Sequence, residues 1–316
     1  MNAPSAPVHI DPVSNHENRP PWSVMIPTYN CAKYLVQTLA SVLEQDPGPA
    51  HMQVEVVDDV STKDDPEGVV RELGKDRVQF FRQPRNVGPI ENFNTCARRS
   101  RGHWVHVLHG DDFVLPGFYA AMQRMIDANP QLTLACSRVY VVDETGEIDG
   151  MTPRIKTLER PSSDASSFYT GNHLQFAGVV LRRSFLEEHG GFNAALIHTA
   201  DWEMWIRCIS KGCGMIKNVP LGAYRMFGEN HTSQLMRTGE NLRDYLRLGS
   251  LLAQYRDFDP RTFRRFVATK ALGQVDRYAA MGDHDAVSAN WSVWRASGTW
   301  GQGLRYRAGK LLRSWL

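Results

Sequence analysis

The sequence predicts an α/β fold, in which a mostly parallel central sheet carries helices on both faces, followed by a helical C-terminal extension. Short apolar runs alternate repeatedly with segments of helical periodicity between Trp22 and the motif HGDD. Parallel strands need crossover helices of this kind, and strands covered on both faces are nearly continuously apolar. Beyond about Met236 the chain becomes helical and basic, which predicts the extension. A hydrophobic content of 42% in 316 residues is enough to form a core.

The first half of the sheet is predicted from three strand–helix pairs and a fourth strand. WSVMIP is an apolar run bounded by proline, typical of a buried strand, and apolar residues recur at helical spacing from Ala32 to Leu43. Asn30 is placed to cap that helix. QVEVVDD predicts the second strand, and the segment from Asp64 to Leu73 the second helix. RVQFFRQ, PIENFNTCARRS and HWVHVLH predict the third strand, the third helix and the fourth strand.

Polar residues collect where each of these strands ends. The clusters are TYN after the first strand, DDVS after the second, PRNVG after the third and GDD after the fourth. In open α/β sheets, ligands bind beyond the carboxyl ends of the strands. The sequence therefore predicts a binding site at this rim of the sheet.

The remaining elements complete the predicted organisation. TLACSRVYVVD predicts a strand, the segment from Ile148 to Ser167 a long loop, and LQFAGVVLRRSFLEEHGGF a strand, a short helix and a Gly-Gly turn. ADWEMWIRCISKG is an amphipathic helix that ends near Gly212. NLRDYLRLGSLLAQYR and RTFRRFVATKALGQV predict helices of the extension. The predicted parts are a flexible tail of residues 1–20, an α/β domain of residues 21–235 and a helical basic region of residues 236–316.

Composition and charge narrow the class of protein. A formal net charge of +2 does not indicate a nucleic-acid partner. Five cysteines, an odd number at scattered positions, do not form a disulfide framework. The N-terminal residues lack the basic start and the apolar run of a signal peptide, and no apolar run reaches the length of a membrane span. We therefore expect a cytoplasmic protein.

The two adjacent aspartates of GDD, Asp111 and Asp112, suit a divalent cation. Neighbouring carboxylates repel each other and are costly to desolvate unless something positive binds them. The chain has neither G-x-G-x-x-G after the first strand nor a P-loop, so no glycine-rich loop is available for phosphate. Mg²⁺ or Mn²⁺ held by carboxylates would offset the charge of a diphosphate instead. The alternative is a solvated turn in which an aspartate caps the next helix.

Six motifs in one order carry a family resemblance. They are SVMIPTYN, VEVVDDVST, RNVGPIENFN, HGDDF, RRSFLEEHGGF and ADWEMWIR, between Trp22 and about Ser233. With them the chain resembles a family-2 glycosyltransferase of the Rossmann-like GT-A fold, with a nucleotide-sugar half of about residues 21–112 and an acceptor half of about residues 113–235. The resemblance implies inverting transfer of a sugar from a UDP- or dTDP-sugar to a hydroxyl of a saccharide or lipid-linked glycan. The usual setting is bacterial surface polysaccharide biosynthesis.

The resemblance also implies which residues bind the nucleotide. Pro27 and Tyr29 would lie against the base, and Asp59 would accept a hydrogen bond from it. Uracil and thymine carry a ring N–H that a carboxylate can recognise. Gly88 would allow close approach of the backbone to the nucleotide, and Asn92 would lie near the base. For VVDDVST, the alternative is an ordinary turn at the end of a strand.

Metal binding and catalysis would fall to later residues of the same pattern. Asp112 corresponds to the aspartate that binds the divalent cation, and Asp111 to the one that reaches the ribose and donor sugar, although Gly110 departs from a strict D-x-D motif. Asp201 corresponds to the catalytic base, with Glu203 as the fallback and helix capping as the alternative. His231 stands where relatives carry a histidine near the diphosphate or the metal. His109 is assigned no role.

Three questions stay open at the level of sequence. The motif GLRYRAGKLLRSWL would form a basic amphipathic helix, which can lie on the inner face of the cytoplasmic membrane or pack on the catalytic domain. A sugar nucleotidyltransferase and a non-catalytic nucleotide-sugar-binding module are the alternative functions. No residue identifies the acceptor, the donor sugar or the oligomeric state.

Overall fold

The computed structural model describes residues 6–14, 19–228 and 231–297. Among these residues the chain forms two compact units. One unit contains residues 6–14, 19–195 and 200–227, and we call it the α/β unit. The other contains residues 196–199, 228 and 231–297, and we call it the helical unit.

The α/β unit is built around one nine-stranded sheet. The strands are β1 (Trp22–Thr28), β2 (Met52–Asp58), β3 (Gln79–Arg82), β4 (Trp104–Val107), β5 (Phe113–Val114), β6 (Leu134–Val142), β7 (Ile148–Met151), β8 (Val179–Arg182) and β9 (Gly214–Arg225). Their order is β3-β2-β1-β4-β8-β6-β9-β5, and β7 pairs with β6 outside this path. The strands β3, β2, β1 and β4 are parallel, as predicted from the repeated strand–helix alternation. The other half is mixed, because β8 pairs antiparallel with both β4 and β6.

Six α-helices of the described chain accompany this sheet. They are α1 (Ala32–Leu43), α2 (Pro66–Val69), α3 (Pro89–Arg99), α4 (Phe118–Ala128), α5 (Arg183–His189) and α6 (Ala200–Ser210), and α2 continues as a π-helical turn over Val70–Gly74. The buried side chains of α1, including Leu35, Leu39 and Val42, join one apolar cluster with those of β1 and β2. Their spacing on one helix face is the pattern that predicted the helix.

The segment before α1 differs from its prediction. Asn30 does not cap the helix, and its backbone has a positive φ of 53°. Its Oδ1 accepts hydrogen bonds from the backbone N–H groups of Thr62 (2.8 Å) and Lys63 (3.0 Å). The first helical N–H, that of Ala32, donates instead to Oδ2 of Asp64 at 2.7 Å. The helix start is thus satisfied by a residue of the loop after β2, which local sequence could not show.

Two other segments are more ordered than predicted. The predicted loop from Ile148 to Ser167 begins with strand β7, because Asp143 and Gly146 form a turn that brings this segment against β6. The D-E-T-G sequence was the overlooked hairpin signal. Within the predicted N-terminal tail, Ile10 is fully buried. The backbone N–H of Gly191 donates to the carbonyl oxygen of Val8 at 2.7 Å, so this part of the tail lies against the α/β unit.

The helical unit contains α7 (His231–Thr238), α8 (Glu240–Leu252), α9 (Pro260–Ala280) and α10 (His284–Ser297). Helices α8 and α9 are the two predicted from sequence. Asp259 caps α9 by accepting from the N–H groups of Arg261 and Thr262. Asp244 is fully buried and accepts from the N–H groups at residues 197, 198 and 199. The predicted helix GLRYRAGKLLRSWL lies outside the described residues, and among the described helices none has the length and apolarity needed to cross a membrane.

Candidate active site

Two of the predicted polar clusters lie beside the carboxyl end of β1, one on each side. Its neighbours β2 and β4 both run parallel to it, so all three strands end at one rim. The N–H of Asp59 donates to the carbonyl oxygen of Thr28 at 2.9 Å, and the N–H of Gly110 donates to that of Pro27 at 3.0 Å. The VVDD and GDD turns are therefore hydrogen-bonded to consecutive residues of one strand.

Asp112 is a buried carboxylate with one oxygen left without a partner. Its side chain is 1% exposed, and its Oδ1 accepts a hydrogen bond from the N–H of Arg225 at 2.9 Å. Its carbonyl oxygen accepts from Oγ1 of Thr38 at 2.6 Å, which fixes the turn against α1. Its Oδ2 is buried and has no hydrogen-bond partner among the described residues. Burial and the nearby Asp111 charge raise the pKa of Asp112 well above its ordinary value.

Arg225, at the end of β9, stabilises this turn by hydrogen bonds to main-chain carbonyl oxygens. Its Nε donates to the carbonyl oxygen of Asp111 at 3.0 Å, and its Nη1 donates to the carbonyl oxygens of Asp143 and Glu144. Its Nη2 donates to Oε1 of Gln37 at 2.6 Å. Burial outweighs the Arg225 charge and raises the pKa of Asp111 to about 6. Sequence reasoning missed this arginine, because an arginine at a strand end carries no local sign of burial.

His109 is the second residue that sequence reasoning missed. Three potential metal-ligand atoms lie within 4.8 Å of one another, one from each of His109, Asp111 and Asp112. The imidazole is stacked on Phe93, with ring centroids 4.8 Å apart, and burial lowers its pKa to about 4, so it is neutral at pH 7. A neutral imidazole and carboxylates are ligands that divalent metal ions accept, and the unpaired Oδ2 of Asp112 fits the same role. The available signal was a histidine two residues before the aspartate pair.

Asp59 organises the loop that follows β3. Its Oδ1 accepts from the N–H of Val87 at 2.7 Å and its Oδ2 from the N–H of Gly88 at 2.9 Å. Its carbonyl oxygen accepts from Nδ2 of Asn86 at 2.9 Å. Gly88 has a φ of 83°, a conformation that favours glycine, and a Cβ there would meet nothing within 4 Å. Each carboxylate oxygen of Asp59 keeps a second lone pair for a ligand.

The other predicted base-binding residues differ in exposure. Tyr29 is 51% exposed directly after β1, whereas Pro27 is buried within that strand. Asn92 is buried in α3, where its Nδ2 donates to the carbonyl oxygen of Val57 and its Oδ1 accepts from Gln83. Tyr29 thus presents a ring at the rim, while Asn92 connects α3 to β2. The roles given to both residues stay predictions.

Asp201 lies in the first turn of α6 with a fixed carboxylate. Its Oδ2 accepts from Nδ2 of Asn172 at 2.7 Å, and its Oδ1 accepts from the N–H of Trp202 at 2.7 Å. The indole of Trp202 is 2% exposed and donates to the carbonyl oxygen of Phe168, so it packs in the core. The orientation of Asp201 is therefore set by a side chain from another loop as well as by the helix start.

Tyr224 connects Asp201 to the aspartate pair electrostatically. The pKa of its phenol is raised by burial and then by the negative charges of Asp112, Asp111 and Asp201. Tyr224 directly precedes the arginine whose N–H binds Asp112. All three carboxylates are thus close enough to Tyr224 to act on its titration. Sequence reasoning had not singled out this tyrosine.

Glu203, the fallback base, and His231, the second predicted metal ligand, remain to be placed. Glu203 is 6% exposed, and its two oxygens accept from Nε (2.9 Å) and Nη2 (3.1 Å) of Arg207. A carboxylate occupied by a buried arginine is poorly suited to accept a proton from a substrate, which favours Asp201. The side chain of His231 lies outside the described residues, so its role stays a prediction.

The mixed sheet with helices on both faces defines a protein of the GT-A fold class. The model of glycosyl transferase family 2 matches residues 23–190, more than half of the chain. The chain belongs to this family and is a glycosyltransferase. A relative in Mycobacterium tuberculosis, MT1568, is 25% identical over 281 residues, which are 85% of this chain and 86% of the relative.

Two solved structures share the fold. TarS 1-349 of S. aureus in complex with UDP-GlcNAc has a TM-score of 0.58 and 18% identity, over 79% of this chain and 71% of TarS. The mannosyltransferase PcManGT of Pyrobaculum calidifontis in complex with GDP-Man and Mn²⁺ has a TM-score of 0.54 and 18% identity, over 98% of this chain and 85% of PcManGT. At this identity the likeness is one of fold, and it confirms the predicted GT-A architecture.

Proposed function

We propose that the chain is an inverting, metal-dependent glycosyltransferase that moves a sugar from a UDP- or dTDP-sugar to a hydroxyl of a saccharide or lipid-linked glycan. The observation that carries the proposal is the buried Asp112, whose Oδ2 has no partner among the described residues, beside Asp111 at the rim of the parallel strands. Burial without a partner disfavours the anionic form of this oxygen, and a bound cation would offset that cost. Bacterial surface polysaccharide biosynthesis, at the cytoplasmic side of the membrane, is the proposed setting.

The donor base would bind between Tyr29 and Asp59. The exposed Tyr29 ring offers a surface for stacking, and Asp59 keeps lone pairs that can accept the ring N–H of uracil or thymine. Gly88 lies next to Asp59 and has no Cβ that would restrict approach to the backbone. The structures of TarS with UDP-GlcNAc and PcManGT with GDP-Man support a nucleotide-sugar donor in general, and the pyrimidine base is our proposal.

The diphosphate would bind at the GDD turn. Asp112 would hold a divalent cation, Mg²⁺ or Mn²⁺, which when bound offsets the negative charge of the diphosphate leaving group. Asp111 would reach the ribose and the donor sugar. Arg225 keeps both residues in place through the main chain, so the carboxylates remain available for ligands.

Asp201 would act as the general base. As the acceptor hydroxyl attacks the anomeric carbon, its proton passes to the Asp201 carboxylate, and the bond from that carbon to the diphosphate oxygen breaks on the opposite face. The hydrogen bonds from Asn172 and from the N–H of Trp202 hold the carboxylate in one orientation. General-base catalysis depends on such positioning within hydrogen-bond reach of the proton.

A thermal-shift panel tests the donor and the metal together. Ligands that bind the folded state raise Tm by mass action. We expect UDP- or dTDP-sugars to raise Tm with Mn²⁺ present and to lose most of the effect in excess EDTA. A larger shift with GDP-sugars would contradict the pyrimidine proposal, and equal shifts with and without Mn²⁺ would contradict the metal.

Release of free nucleotide from the best donor separates an enzyme from a nucleotide-sugar-binding module. Many transferases hydrolyse their donor slowly without an acceptor, so the assay needs no knowledge of the acceptor. We expect wild type to release UDP or dTDP together with free sugar. Release of pyrophosphate from a nucleoside triphosphate and a sugar phosphate would instead indicate a nucleotidyltransferase.

A further inference from the structure

Two histidines near the end of β4, the buried His106 and the partly buried His109, have different environments. His106 has a partner for each ring nitrogen, because Nδ1 lies 3.1 Å from the Tyr119 hydroxyl and Nε2 lies 3.2 Å from the carbonyl oxygen of Phe176. His109 follows in the same segment, yet its Nε2 is buried with no hydrogen-bond partner among the described residues. Buried polar atoms in native proteins are almost always paired. His106 is therefore explained by its contacts within the protein, and His109 is not.

The position of His109 explains what its imidazole could bind. One of its ligand atoms lies within 4.8 Å of carboxylate oxygens of Asp111 and Asp112. Ligands on opposite sides of an octahedral Mg²⁺ lie roughly 4.2 Å apart, since each bond is about 2.1 Å. The three side chains are thus spread about as widely as the ligands of one ion. Asp112 adds a second unpaired buried atom, its Oδ2.

The aromatic neighbours of His109 leave its ring little freedom to turn away. Its centroid lies 4.8 Å from that of Phe93, at an interplanar angle of 20°, and 4.4 Å from that of Phe176. Phe93 and Phe176 also contact each other, with centroids 5.0 Å apart. A ligand held this way is oriented before the metal arrives. A phenylalanine at position 109 would fill this space equally well if the ring served only for packing.

We propose that His109 is a protein ligand of the divalent cation, together with Asp112, and that its nitrogen makes the site prefer a first-row transition-metal ion over Mg²⁺. The inference rests on the metal site of the proposed function and adds a second protein ligand and the selectivity of the site. Mg²⁺ binds almost entirely through oxygen, whereas imidazole nitrogen is a good ligand for transition-metal ions. An aspartate pair without His109 would show little such preference.

Electron spin echo spectroscopy of Mn²⁺ bound to the full chain, with UDP present, tests this ligand directly. A coordinated imidazole gives a ¹⁴N modulation, which we expect in wild type and in the His103→Ala control, an exposed histidine of the same segment. His109→Phe keeps an aromatic ring at the stack and should lose the modulation. His231→Ala should keep it. Mn²⁺ affinity in His109→Phe should fall about tenfold or more, with Mg²⁺ affinity changed less.

The outcomes separate this inference from the proposed function. Bound Mn²⁺ without ¹⁴N modulation in wild type, or modulation that persists in His109→Phe, overturns the role of His109 and leaves the aspartate site intact. Loss of the modulation in His231→Ala alone would assign the nitrogen to that residue and would equally overturn the proposal. Failure of wild type to bind Mn²⁺ with UDP present overturns both the inference and the proposed metal dependence. A wild-type spectrum of bound Mn²⁺ without ¹⁴N modulation overturns the role of His109 even if a variant does not fold, and His231→Ala shows whether a positive signal comes from the other histidine.

Discussion

Replacing Asp112 with asparagine should stabilise the metal-free protein while removing its response to metal and donor. Asparagine keeps an oxygen to accept the hydrogen bond that Arg225 N–H now gives to Oδ1. It removes a negative charge that is 1% exposed and lies beside Asp111. Because burial and the neighbouring charge both disfavour the ionised form, loss of the charge relieves a cost of the folded state.

The size of the effect follows from what the Oδ2 atom lacks. A buried polar atom left without a partner costs about 1–3 kcal/mol and a charged one costs more, so the substitution relieves the excess that is due to the charge. We therefore expect Asp112→Asn to raise the free energy of unfolding by about 1–3 kcal/mol in EDTA. Since 1 kcal/mol shifts Tm by roughly 2–4 °C in domains of 150–250 residues, the change is a few degrees. Wild type should regain about 2.7 kcal/mol when ligand reaches 100 times its Kd, and the variant should regain little.

Thermal unfolding of wild type and Asp112→Asn, in EDTA and in Mn²⁺ with UDP, shows whether the order of their stabilities reverses between the two conditions. The variant should be the more stable protein in EDTA and the less stable one with the ligands. Glu203→Gln is a matched control, since Glu203 is also a buried acid but is bonded to Arg207, and its loss should destabilise in both conditions. If Asp112→Asn were less stable in EDTA, or kept the full Mn²⁺-dependent shift, the account of Asp112 as an uncompensated metal ligand would be wrong.

Three further predictions concern pH, the base and the helical unit. Burial raises the pKa of Asp111 to about 6 from about 3.9 in the unfolded chain, so the native state binds more protons between these values. The metal-free protein should therefore lose on the order of 3 kcal/mol of stability as pH rises from about 4 to 6, measured by urea unfolding, and a flat profile would refute this. Asp201→Asn should lower kcat about 10²–10⁴-fold, while the donor Kd, measured by calorimetry, changes little. A variant that lost only donor affinity would exclude Asp201 as the base. Asp244→Ala leaves one buried and two part-buried backbone N–H groups without their acceptor and should cost roughly 3 kcal/mol in urea unfolding, against about 0.5 kcal/mol or less for the exposed Asp257→Ala.

The part of the fold that local sequence could predict is the part where neighbours in the chain are neighbours in space. The alternation from β1 to β4 follows from apolar periodicity, and each polar cluster comes directly after its strand. The insertion of β8 between β4 and β6 does not follow from local sequence, because those strands come from segments far apart in the chain. The same limit hid Arg225, which reaches Asp112 across 113 positions of the chain.

The candidate site was predictable where a residue type is itself unusual, as with adjacent aspartates at the end of a buried strand. It was not predictable where the residue type is common and only its environment is unusual. His109 and His106 are alike in sequence, and only the missing partner of one ring nitrogen distinguishes them. The amide of Asn92 bonds to Val57 and Gln83, contacts that local sequence could not show, and its place near the base stays a prediction.

The arrangement of Arg225 bears on why two adjacent aspartates persist in a buried turn. A guanidinium this close would neutralise either carboxylate if it bonded to the side chain, yet its donors bind the carbonyl oxygens at residues 111, 143 and 144 and the amide of Gln37. Among the described residues, no salt bridge involves Asp111 or Asp112. The arginine thus fixes the backbone of the turn, and its charge offsets only part of the cost of burying the two carboxylates. A buried charge without a direct partner destabilises a fold, so the geometry is the one expected where a cation from solution completes the site.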